Sequence, residues 1–455
     1  MQQIRILHTN DIHSHFDAYP KLATFLKEQD FTLPSALVDI GDNMDRFHPI
    51  TEATGGKANT SLLNKLRYDY ATFGNNEGIT LDYEGLSQLY EEAEFPVLAA
   101  NLFEENGEYP DWVKPYEVKK MGNVKVAFIG VTVFYQHFYA LLGWKIEDPY
   151  IMLEKYLPAL KEEVDVIVVL SHLGISDDEE MARRFPEIDV ILGGHTHHVL
   201  PEGRRIGNTL ICGAGKYGQY IGQVDLVYNQ ELKSLTQSTA KLHKLELYQS
   251  DQQLTAQIKA MEQVAEKHLN KKVGSIKESL PVEWFAPSIF PNFLADKLRE
   301  WCQAEIGMVN AGVLLDGLEE GEVTLGMLHR ICPHPINPCR VTLTGEELRE
   351  VVQQALHPDM ENLRVKGLGF RGEVMGRMAF SGVRFDTEAI KEGSVQVTDI
   401  YIGDKRLTSK DDVTVGTIDM FTFGRMFPSI IRAKEKKFFL PELLRDVLAH
   451  SFSDN

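Results

Sequence analysis

The chain has 455 residues, of which 43% are hydrophobic and 25% are charged. This balance is typical of a globular protein and excludes a disordered, collagen-like or coiled-coil chain. Its 47 basic and 66 acidic residues give a net charge of −19. We expect no nucleic-acid partner, because a strongly negative surface repels a phosphate backbone. At roughly 100–200 residues per domain, the length predicts two domains.

The sequence predicts a protein that neither enters nor binds a membrane. No stretch approaches the ~18 consecutive apolar residues of a transmembrane helix, and the N-terminus lacks the apolar segment of a signal peptide. The four cysteines are too few and too scattered for a disulfide framework. We therefore expect a cytoplasmic protein with reduced thiols, either a monomer or a homodimer.

The first half of the chain alternates predicted strands with predicted helices. Short apolar runs, which are typical of strands buried on both faces, fall at residues 4–9, 36–40, 125–131, 165–170 and 189–192. Segments of helical periodicity lie at residues 20–28, 61–66, 83–92 and 150–163. This alternation predicts an α/β layered domain. Two consecutive strands, at 209–212 and 223–228, predict added antiparallel pairs.

Apolar residues at spacings of three and four predict one amphipathic helix between residues 249 and 270. Beyond it lies a second α+β region, with strands near 308–310, 341–343, 395–402 and 413–417. A capping-box pattern predicts that a helix begins after Thr344. We therefore divide the chain into a first domain at 1–245, a connector helix at 246–275 and a C-terminal domain at 276–455.

Polar clusters follow several strands of the first domain, at the carboxyl end of each. They lie at residues 10–13, 41–43, 74–77, 171–172 and 193–197. Because ligand sites in α/β sheets form at the carboxyl ends of strands, we expect these clusters to converge. Their nitrogen and oxygen donors, with no thiolate, suit Mn²⁺, Fe²⁺, Co²⁺, Ni²⁺ or Zn²⁺. The candidate ligands exceed what one tetrahedral ion uses, which favours two ions sharing a carboxylate; they are Asp11, His13, Asp42, Asn75, His172, His195 and His197.

These clusters resemble those of the calcineurin-like metallophosphoesterases, and within them the two-domain 5'-nucleotidases, especially leaderless bacterial members. The resemblance rests on Leu-His-Thr-Asn-Asp-Ile-His at 7–13, Gly-Asp at 41–42, Gly-Asn at 74–75, Ser-His-Leu-Gly at 171–174 and Gly-His-Thr-His at 194–197. It spans essentially the whole chain, strongly in the first domain and loosely in the second. The fold it implies is a metallophosphoesterase-type layered β-sandwich flanked by helices, plus a C-terminal α+β 5'-nucleotidase-like domain.

The resemblance also implies how the ligands divide between two metal ions. One ion would be held by Asp11, His13, Asp42 and His197, and the other by Asp42, Asn75, His172 and His195. Two such ions ~3.5–4 Å apart clamp a phosphoryl oxygen and acidify a bridging water, whose hydroxide attacks phosphorus. The cations also explain how so acidic a protein binds an anionic substrate. We therefore predict a phosphate-ester hydrolase, a 5'-nucleotidase-like nucleotide phosphatase.

The third cluster departs from the family pattern. Residues 74–77 read Gly-Asn-Asn-Glu where the family has Gly-Asn-His followed by an acid, so Asn76 replaces the catalytic histidine. An amide donates a hydrogen bond but cannot deliver a proton near pH 7, and losing one transition-state donor costs on the order of 10²–10³ in rate. Either the enzyme is slow, or its leaving group needs no proton, or another residue substitutes. His15, Asp45 and Arg46, in the same loops, are the candidates.

The second domain departs further from the family, in which three segments form a nucleoside pocket. Residues 310–315 resemble the first segment but have Leu in place of its Arg, and residues 333–337 resemble the second but have His in place of its stacking Phe. Residues 420–426 resemble the third without its acidic residue. Because bases stack on aromatic faces, we predict a substrate site from Asn310, His334, Asn337, Phe421 and Phe423, with Arg299 or Arg425 on the phosphate side.

Two alternatives to a nucleotide phosphatase remain open at this point. The loss of the histidine at position 76 would suit a substrate whose leaving group is already good, such as a pyrophosphate, a nucleotide sugar or a cyclic phosphodiester. It would also suit a non-catalytic protein that binds nucleotide in a metal-dependent way. Retention of every candidate metal ligand argues against the second alternative.

Overall fold

The computed structural model describes residues 1–29, 32–390 and 395–453. The chain separates into two compact units, Met1–Ala265 and Glu266–Asn455. The division falls within the helix Gln252–Leu269, where an amphipathic helix was expected. Within the described residues, no helix is both long and apolar enough to span a bilayer.

Two β-sheets face each other in the described part of the first unit. In spatial order, the first sheet consists of Ser234–Lys244, Tyr220–Asn229, Gln2–Thr9, Ser35–Asp39, Tyr70–Ala71, Val97–Leu98 and Val113–Lys114. Its strands are parallel from Gln2–Thr9 onward. The strand Tyr220–Asn229 is antiparallel to both of its neighbours, which confirms the antiparallel pairs predicted for this part of the chain.

The second sheet has a parallel centre and antiparallel edges. In spatial order it consists of Arg204–Ile206, Thr209–Cys212, Val190–Gly193, Val166–His172, Val124–Thr132 and Tyr116–Met121. The strands from Thr209–Cys212 to Val124–Thr132 are parallel, and the two edge strands pair in antiparallel fashion. A separate antiparallel pair joins Leu102–Glu104 to Trp144–Ile146.

Both faces of the central strands are buried, which explains their continuous apolar sequences. Residues such as Ile6 and Val168 fill the core between the two sheets. Residues such as Ile129 point to the other face of the second sheet, where the helices Pro149–Glu163 and Ile175–Arg184 cover them. The helices of the first unit are Ala18–Lys27, Pro49–Thr54, Lys57–Lys65, Asn75–Gly78, Tyr83–Leu89, Gln136–Leu141, Pro149–Glu163 and Ile175–Arg184.

The second unit has a core of its own around a mixed sheet. That sheet consists, in spatial order, of Met378–Ser381, Ile306–Asn310, Asp412–Ile418, Pro338–Thr344 and Glu435–Phe438. Smaller sheets join Arg384–Ala389, Val395–Ile402 and Lys405–Arg406, and Lys272–Ile276 with Gly321–Thr324. Its helices are Ile289–Trp301, Leu325–Ile331, Gly345–Ala355, Pro358–Glu361, Pro428–Ile431 and Leu444–Ser453.

The predicted capping box is present at the start of the helix Gly345–Ala355. The Thr344 hydroxyl accepts from the Glu347 backbone N–H, and the Glu347 carboxylate accepts from that of Thr344. This reciprocal pair satisfies two backbone donors that the helix leaves unpaired. The predicted fold class, a layered α/β sandwich followed by an α+β unit, is confirmed.

Candidate metal centre

Side chains that follow strands of both sheets converge in the first unit, as the sequence predicts. They form two groups, and in each the donor atoms lie within 4.8 Å of one another. Loops after the strands Gln2–Thr9, Ser35–Asp39 and Val190–Gly193 supply five of these side chains, and the last residue of Val166–His172 supplies the sixth. The groups are Asp11 with His13 and His197, and Asp42 with His172 and His195.

The loops that carry these side chains have a left-handed backbone at the ligand positions. Positive φ angles occur at Asp11 (51°), His13 (48°), Asp42 (48°), His195 (67°) and His197 (58°). A left-handed residue other than glycine is uncommon and costs on the order of 1–3 kcal/mol. Such strain persists only where the surroundings hold the backbone in place, and it is concentrated at functional sites.

One buried carboxylate joins two of these loops. Glu77 is 1% exposed and accepts hydrogen bonds from the backbone N–H groups of Asp42 (3.0 Å), Met44 (2.9 Å) and Gly74 (2.9 Å). Burial, followed by the nearby Asp42, raises the pKa of Glu77 to about 7. This residue locks the 41–43 and 74–77 clusters into one rigid arrangement.

Asp42 lies between the two groups of donors. Its Oδ2 atom is 3.4 Å from His172 Nε2 and 3.7 Å from His13 Nε2. In the first group, His13 Nε2 lies 3.2 Å from His197 Nε2. Two atoms that each bind one ion at ~2.1 Å lie at most ~4.2 Å apart, so these separations are compatible with ligands of a common ion, with Asp42 placed to serve both.

His172 has the donor chemistry of a metal ligand. Its ring is fully buried, and its Nδ1 atom donates to the Ile40 carbonyl at 2.7 Å. Within the described residues its Nε2 atom has no hydrogen-bond partner, and a buried polar atom of this kind calls for a ligand. The backbone contact on Nδ1 is the usual way in which a protein orients a metal-binding histidine.

The electrostatics of the centre favour positive charge. Burial alone would raise the pKa of Asp42, but His172 and His13 hold it well below its usual range. Burial alone would lower the pKa of His172, but Asp42 raises it to about 10. Asp42 therefore draws a cation, whether a proton or a metal ion, to His172 Nε2. Burial, with the neighbouring His172, lowers the pKa of His195 to about 4, so this imidazole is neutral at pH 7.

The remaining predicted ligand, Asn75, joins the second group. Its Oδ1 atom lies 2.9 Å from His195 Nδ1, again a separation that fits two ligands of one ion. The neighbouring glycine is required by space, because a Cβ atom at Gly74 would lie 2.2 Å from Asp42 Oδ1 and 2.4 Å from His172 Nε2. All seven predicted ligands therefore meet in one place.

Asn76, Asp45 and His15, which are predicted catalytic helpers, have contacts of their own beside the centre. Asn76 directs its Nδ2 atom to Asp42 Oδ2 at 2.7 Å and its backbone N–H to Asp42 Oδ1 at 2.8 Å, so its amide is bound to a ligand. Asp45 is buried, and its carboxylate accepts from His13 Nδ1 at 3.2 Å. His15 is half-buried and packs against Tyr217, with ring centroids 4.0 Å apart.

Two tyrosines outside the predicted site residues lie beside this centre. The Tyr135 hydroxyl lies 3.3 Å from His195 Nε2. The Tyr217 ring lies edge-on to His13, with ring centroids 5.8 Å apart. The sequence position of Tyr135 could have indicated this, because Tyr135 follows the strand predicted at 125–131 at its carboxyl end. The ligand clusters lie at the same edge.

In the second unit, four of the predicted substrate residues are buried and contact their own chain. Asn310 donates to the Met375 carbonyl at 2.7 Å, and Asn337 to the Glu442 carbonyl at 2.8 Å. Phe421 is fully buried.

His334, the predicted stacking residue, is also fully buried. Its Nε2 atom donates to the Val313 carbonyl at 2.9 Å, and its Nδ1 atom accepts from the Arg371 backbone N–H at 2.9 Å. Phe370 stacks on its ring at 5.3 Å. The chain therefore already fills the place that a base would need.

The other predicted substrate residues are more accessible. Phe423 is 36% exposed, and Arg425 is exposed. Arg299 is half-buried and forms an ion pair with Asp296 at 2.9 Å. Of the predicted set, Phe423 and Arg425 are therefore the exposed members, and the Phe423 ring stacks on Phe438 with ring centroids 6.5 Å apart.

Comparison with known proteins agrees with this architecture. Residues 4–199 match the family model of the calcineurin-like phosphoesterases, and residues 270–425 match that of the 5'-nucleotidase C-terminal domain. The chain is 45% identical to the uncharacterized metallophosphoesterase YunD of Bacillus subtilis, an alignment that covers 98% of each protein.

More distant relatives share the same pattern. The chain is 27% identical to the trifunctional nucleotide phosphoesterase protein YfkN of Bacillus subtilis, over 78% of this chain and 27% of that longer protein. It shares its fold with the NAD nucleotidase NadN of Haemophilus influenzae, at a TM-score of 0.70 and 16% identity, over 99% of this chain and 96% of that one. The resemblance inferred from the motifs is confirmed: the chain belongs to the calcineurin-like metallophosphoesterases with a 5'-nucleotidase C-terminal domain, enzymes that hydrolyse phosphate esters with divalent metal ions.

Proposed function

We propose that this protein is a nucleotide phosphatase of the 5'-nucleotidase kind, which releases phosphate from phosphomonoesters. The observation that carries the proposal is the position of Asp42, whose Oδ2 atom faces imidazole nitrogens of both donor groups at 3.4 and 3.7 Å. We assign one divalent ion to Asp11, His13, Asp42 and His197, and a second to Asp42, Asn75, His172 and His195. The nitrogen and oxygen donors suit Mn, Zn, Co, Ni or Fe.

Bound there, such ions supply electrophilic stabilisation of a phosphoryl group and a more acidic water. The chain itself holds the ligands in place for this. Asn76 orients Asp42, Asp45 orients His13, and the Ile40 carbonyl orients His172. Because these three ligands are oriented by buried partners, little reorganisation of them is needed when substrate binds, which is the basis of electrostatic preorganisation.

The nucleotide part of the proposal rests on the second unit and on a named relative. The second unit matches a 5'-nucleotidase domain, and the relative YfkN is named a nucleotide phosphoesterase. We propose that Phe423 and Arg425, which are exposed residues of the second unit, bind substrate, with Phe423 stacking on a base and Arg425 on the phosphate side. A cytoplasmic location is also proposed, in keeping with four buried free thiols.

Phosphate release from a substrate panel tests this function. The purified protein, loaded with Mn²⁺ or Co²⁺, should release phosphate from nucleoside 5'-monophosphates and from an aryl phosphate. Asp42→Asn should lose this activity and bind fewer ions, whereas Asp17→Asn, an exposed carboxylate in a neighbouring loop, should match the wild type. The proposal would be contradicted if the protein binds two ions but does not release phosphate from any of these esters.

A second candidate function is hydrolysis of substrates with acidic leaving groups, such as pyrophosphates, nucleotide sugars or cyclic phosphodiesters. The favouring observation is that the Asn76 amide is bound to Asp42, so position 76 presents no proton donor to a leaving oxygen. The wild type should then prefer an aryl phosphate strongly over an alkyl phosphate, and Asn76→His should narrow the preference. Equal turnover of both esters by the wild type would exclude this candidate.

A further inference from the structure

The outer nitrogens of three of the four proposed metal-binding histidines, His13, His172 and His195, have partners. Each of these rings has one nitrogen directed to the centre and a second directed away. The second nitrogen of His13 meets the Asp45 carboxylate, and that of His172 meets the Ile40 carbonyl. Partners of this kind fix the tautomer and the orientation of a metal-binding imidazole. The corresponding partner of His195 is neither a carboxylate nor a backbone carbonyl.

The partner of His195 is a phenol. The Nδ1 atom of His195 lies 2.9 Å from Asn75 Oδ1, inside the second donor group. Its Nε2 atom, on the opposite side of the ring, lies 3.3 Å from the Tyr135 hydroxyl oxygen. With Nδ1 free of hydrogen to bind an ion, Nε2 carries the hydrogen and the phenol oxygen accepts it.

The local fold holds the Tyr135 side chain at this place. Thr132, three residues earlier, is the register partner of His172 in the second sheet. The Tyr135 carbonyl accepts from the backbone N–H groups of Phe138 (2.9 Å) and Tyr139 (3.1 Å), at the start of the helix Gln136–Leu141. Tyr139 is fully buried and anchors that helix. The backbone on both sides of Tyr135 is therefore held by hydrogen bonds, although the residue itself is 38% exposed.

We propose that Tyr135 is a positioning residue for the second metal site, where it orients His195 through Nε2. This inference rests on the proposed function, because it requires that His195 binds an ion through Nδ1. The four ligands proposed for this site come from the Gly-Asp, Gly-Asn, Ser-His and Gly-His-Thr-His motifs. Tyr135 adds a residue that orients one of them. Loss of such an orienting partner typically lowers metal affinity by about 10–100-fold.

Metal binding by Tyr135→Phe tests the inference directly. The substitution removes the hydroxyl and keeps the ring that packs near Phe138. Titration of metal-free protein with Mn²⁺ in a calorimeter should give wild-type affinity for one ion and an affinity about 10–100-fold lower for the other. Thermal unfolding of the metal-free variant, expected to match the wild type, verifies that it is folded.

Tyr217→Phe is the matched control. Tyr217 is 37% exposed and lies beside His13, and in the described chain its hydroxyl has no hydrogen-bond partner. Removing that hydroxyl should leave both affinities unchanged.

The possible outcomes separate this inference from the proposed function. Wild-type affinities in Tyr135→Phe would overturn the inference, as would an equal loss at both sites or the same loss in Tyr217→Phe. A wild-type protein that binds no ion would instead overturn the proposed function, and the inference with it.

Discussion

Replacing Glu77 by glutamine tests whether one buried carboxylate holds the metal-binding loops together. Its Oε2 atom accepts from the backbone N–H groups of Asp42 and Gly74, and its Oε1 atom accepts from that of Met44. Glutamine keeps the shape but has one oxygen. If that oxygen serves Asp42 and Gly74, the new NH₂ group faces the Met44 N–H, and a buried donor loses its acceptor.

The cost follows from this change. A buried donor without a partner costs about 1–3 kcal/mol. We therefore expect the free energy of local opening of these loops to be about 2 kcal/mol lower in the variant than in the wild type. Because about 1.4 kcal/mol corresponds to a factor of ten, amide hydrogens that exchange by local opening should exchange roughly 30-fold faster. Turnover should fall as well, because the loop that carries Asp42 and Met44 opens more often.

Hydrogen exchange measured by mass spectrometry localises the effect. The variant and the wild type are compared in metal-free form. Amide hydrogens in peptides that cover residues 40–46 and 72–78 should exchange faster in Glu77→Gln than in the wild type. Glu347→Gln is the control: Glu347 accepts from a single backbone N–H in the half-buried capping box of the second unit, and its loss should leave both peptides unchanged. Unchanged exchange in Glu77→Gln, together with reduced turnover, would refute a role in holding the loops.

Further predictions concern space, metal and packing. In Gly74→Ala the new methyl group would overlap Asp42 Oδ1 and His172 Nε2, at 2.2 and 2.4 Å, so metal titration should show loss of an ion; retention of both would contradict this reading. Chelation of the metal ions should abolish phosphate release, and added Mn²⁺ should restore it. Chelation should also lower the free energy of unfolding, by about 2.7 kcal/mol for an ion present at 100 times its Kd. Turnover that survives chelation would count against metal dependence. Phe370→Ala, which removes a buried ring stacked on His334, should destabilise the second unit by about 3–5 kcal/mol in urea unfolding, and a negligible loss would mean that the ring is not part of the core.

Much of the first unit was predictable because its signals are local. Strands buried on both faces have continuous apolar sequences, and the segments predicted at 4–9 and 165–170 correspond to Gln2–Thr9 and Val166–His172. The rule that sites form at the carboxyl ends of strands then brings Asp11 and His172 together from sequence alone. Donor type also follows from the sequence, because imidazole and carboxylate groups carry their coordination chemistry wherever they lie.

The roles of the helper residues depended on orientation, which the sequence does not contain. Asn76 and Asp45 lie in the expected loops, but the left-handed backbone at Asp42 and His13 turns these ligands so that both helpers contact them. Their loop membership was therefore predictable, and their contacts were not. Tyr135 is the converse case, since it lies 60 residues from His195 in the chain and meets it only across the folded structure.

The sequence by itself determined the layered α/β architecture, the family and the set of candidate metal-binding side chains, because these depend on hydrophobic pattern and on the chemistry of individual residues. Only the tertiary structure decided which polar groups are available to a ligand. Burial consumes hydrogen-bonding groups: His334 bonds through both ring nitrogens and is covered by Phe370. In contrast, His172 Nε2 is buried without a hydrogen-bond partner in the described chain and lies 3.4 Å from Asp42 Oδ2. Two histidines that look alike in sequence thus differ in function because their neighbours, which come from distant segments, satisfy one of them and leave the other ready to bind.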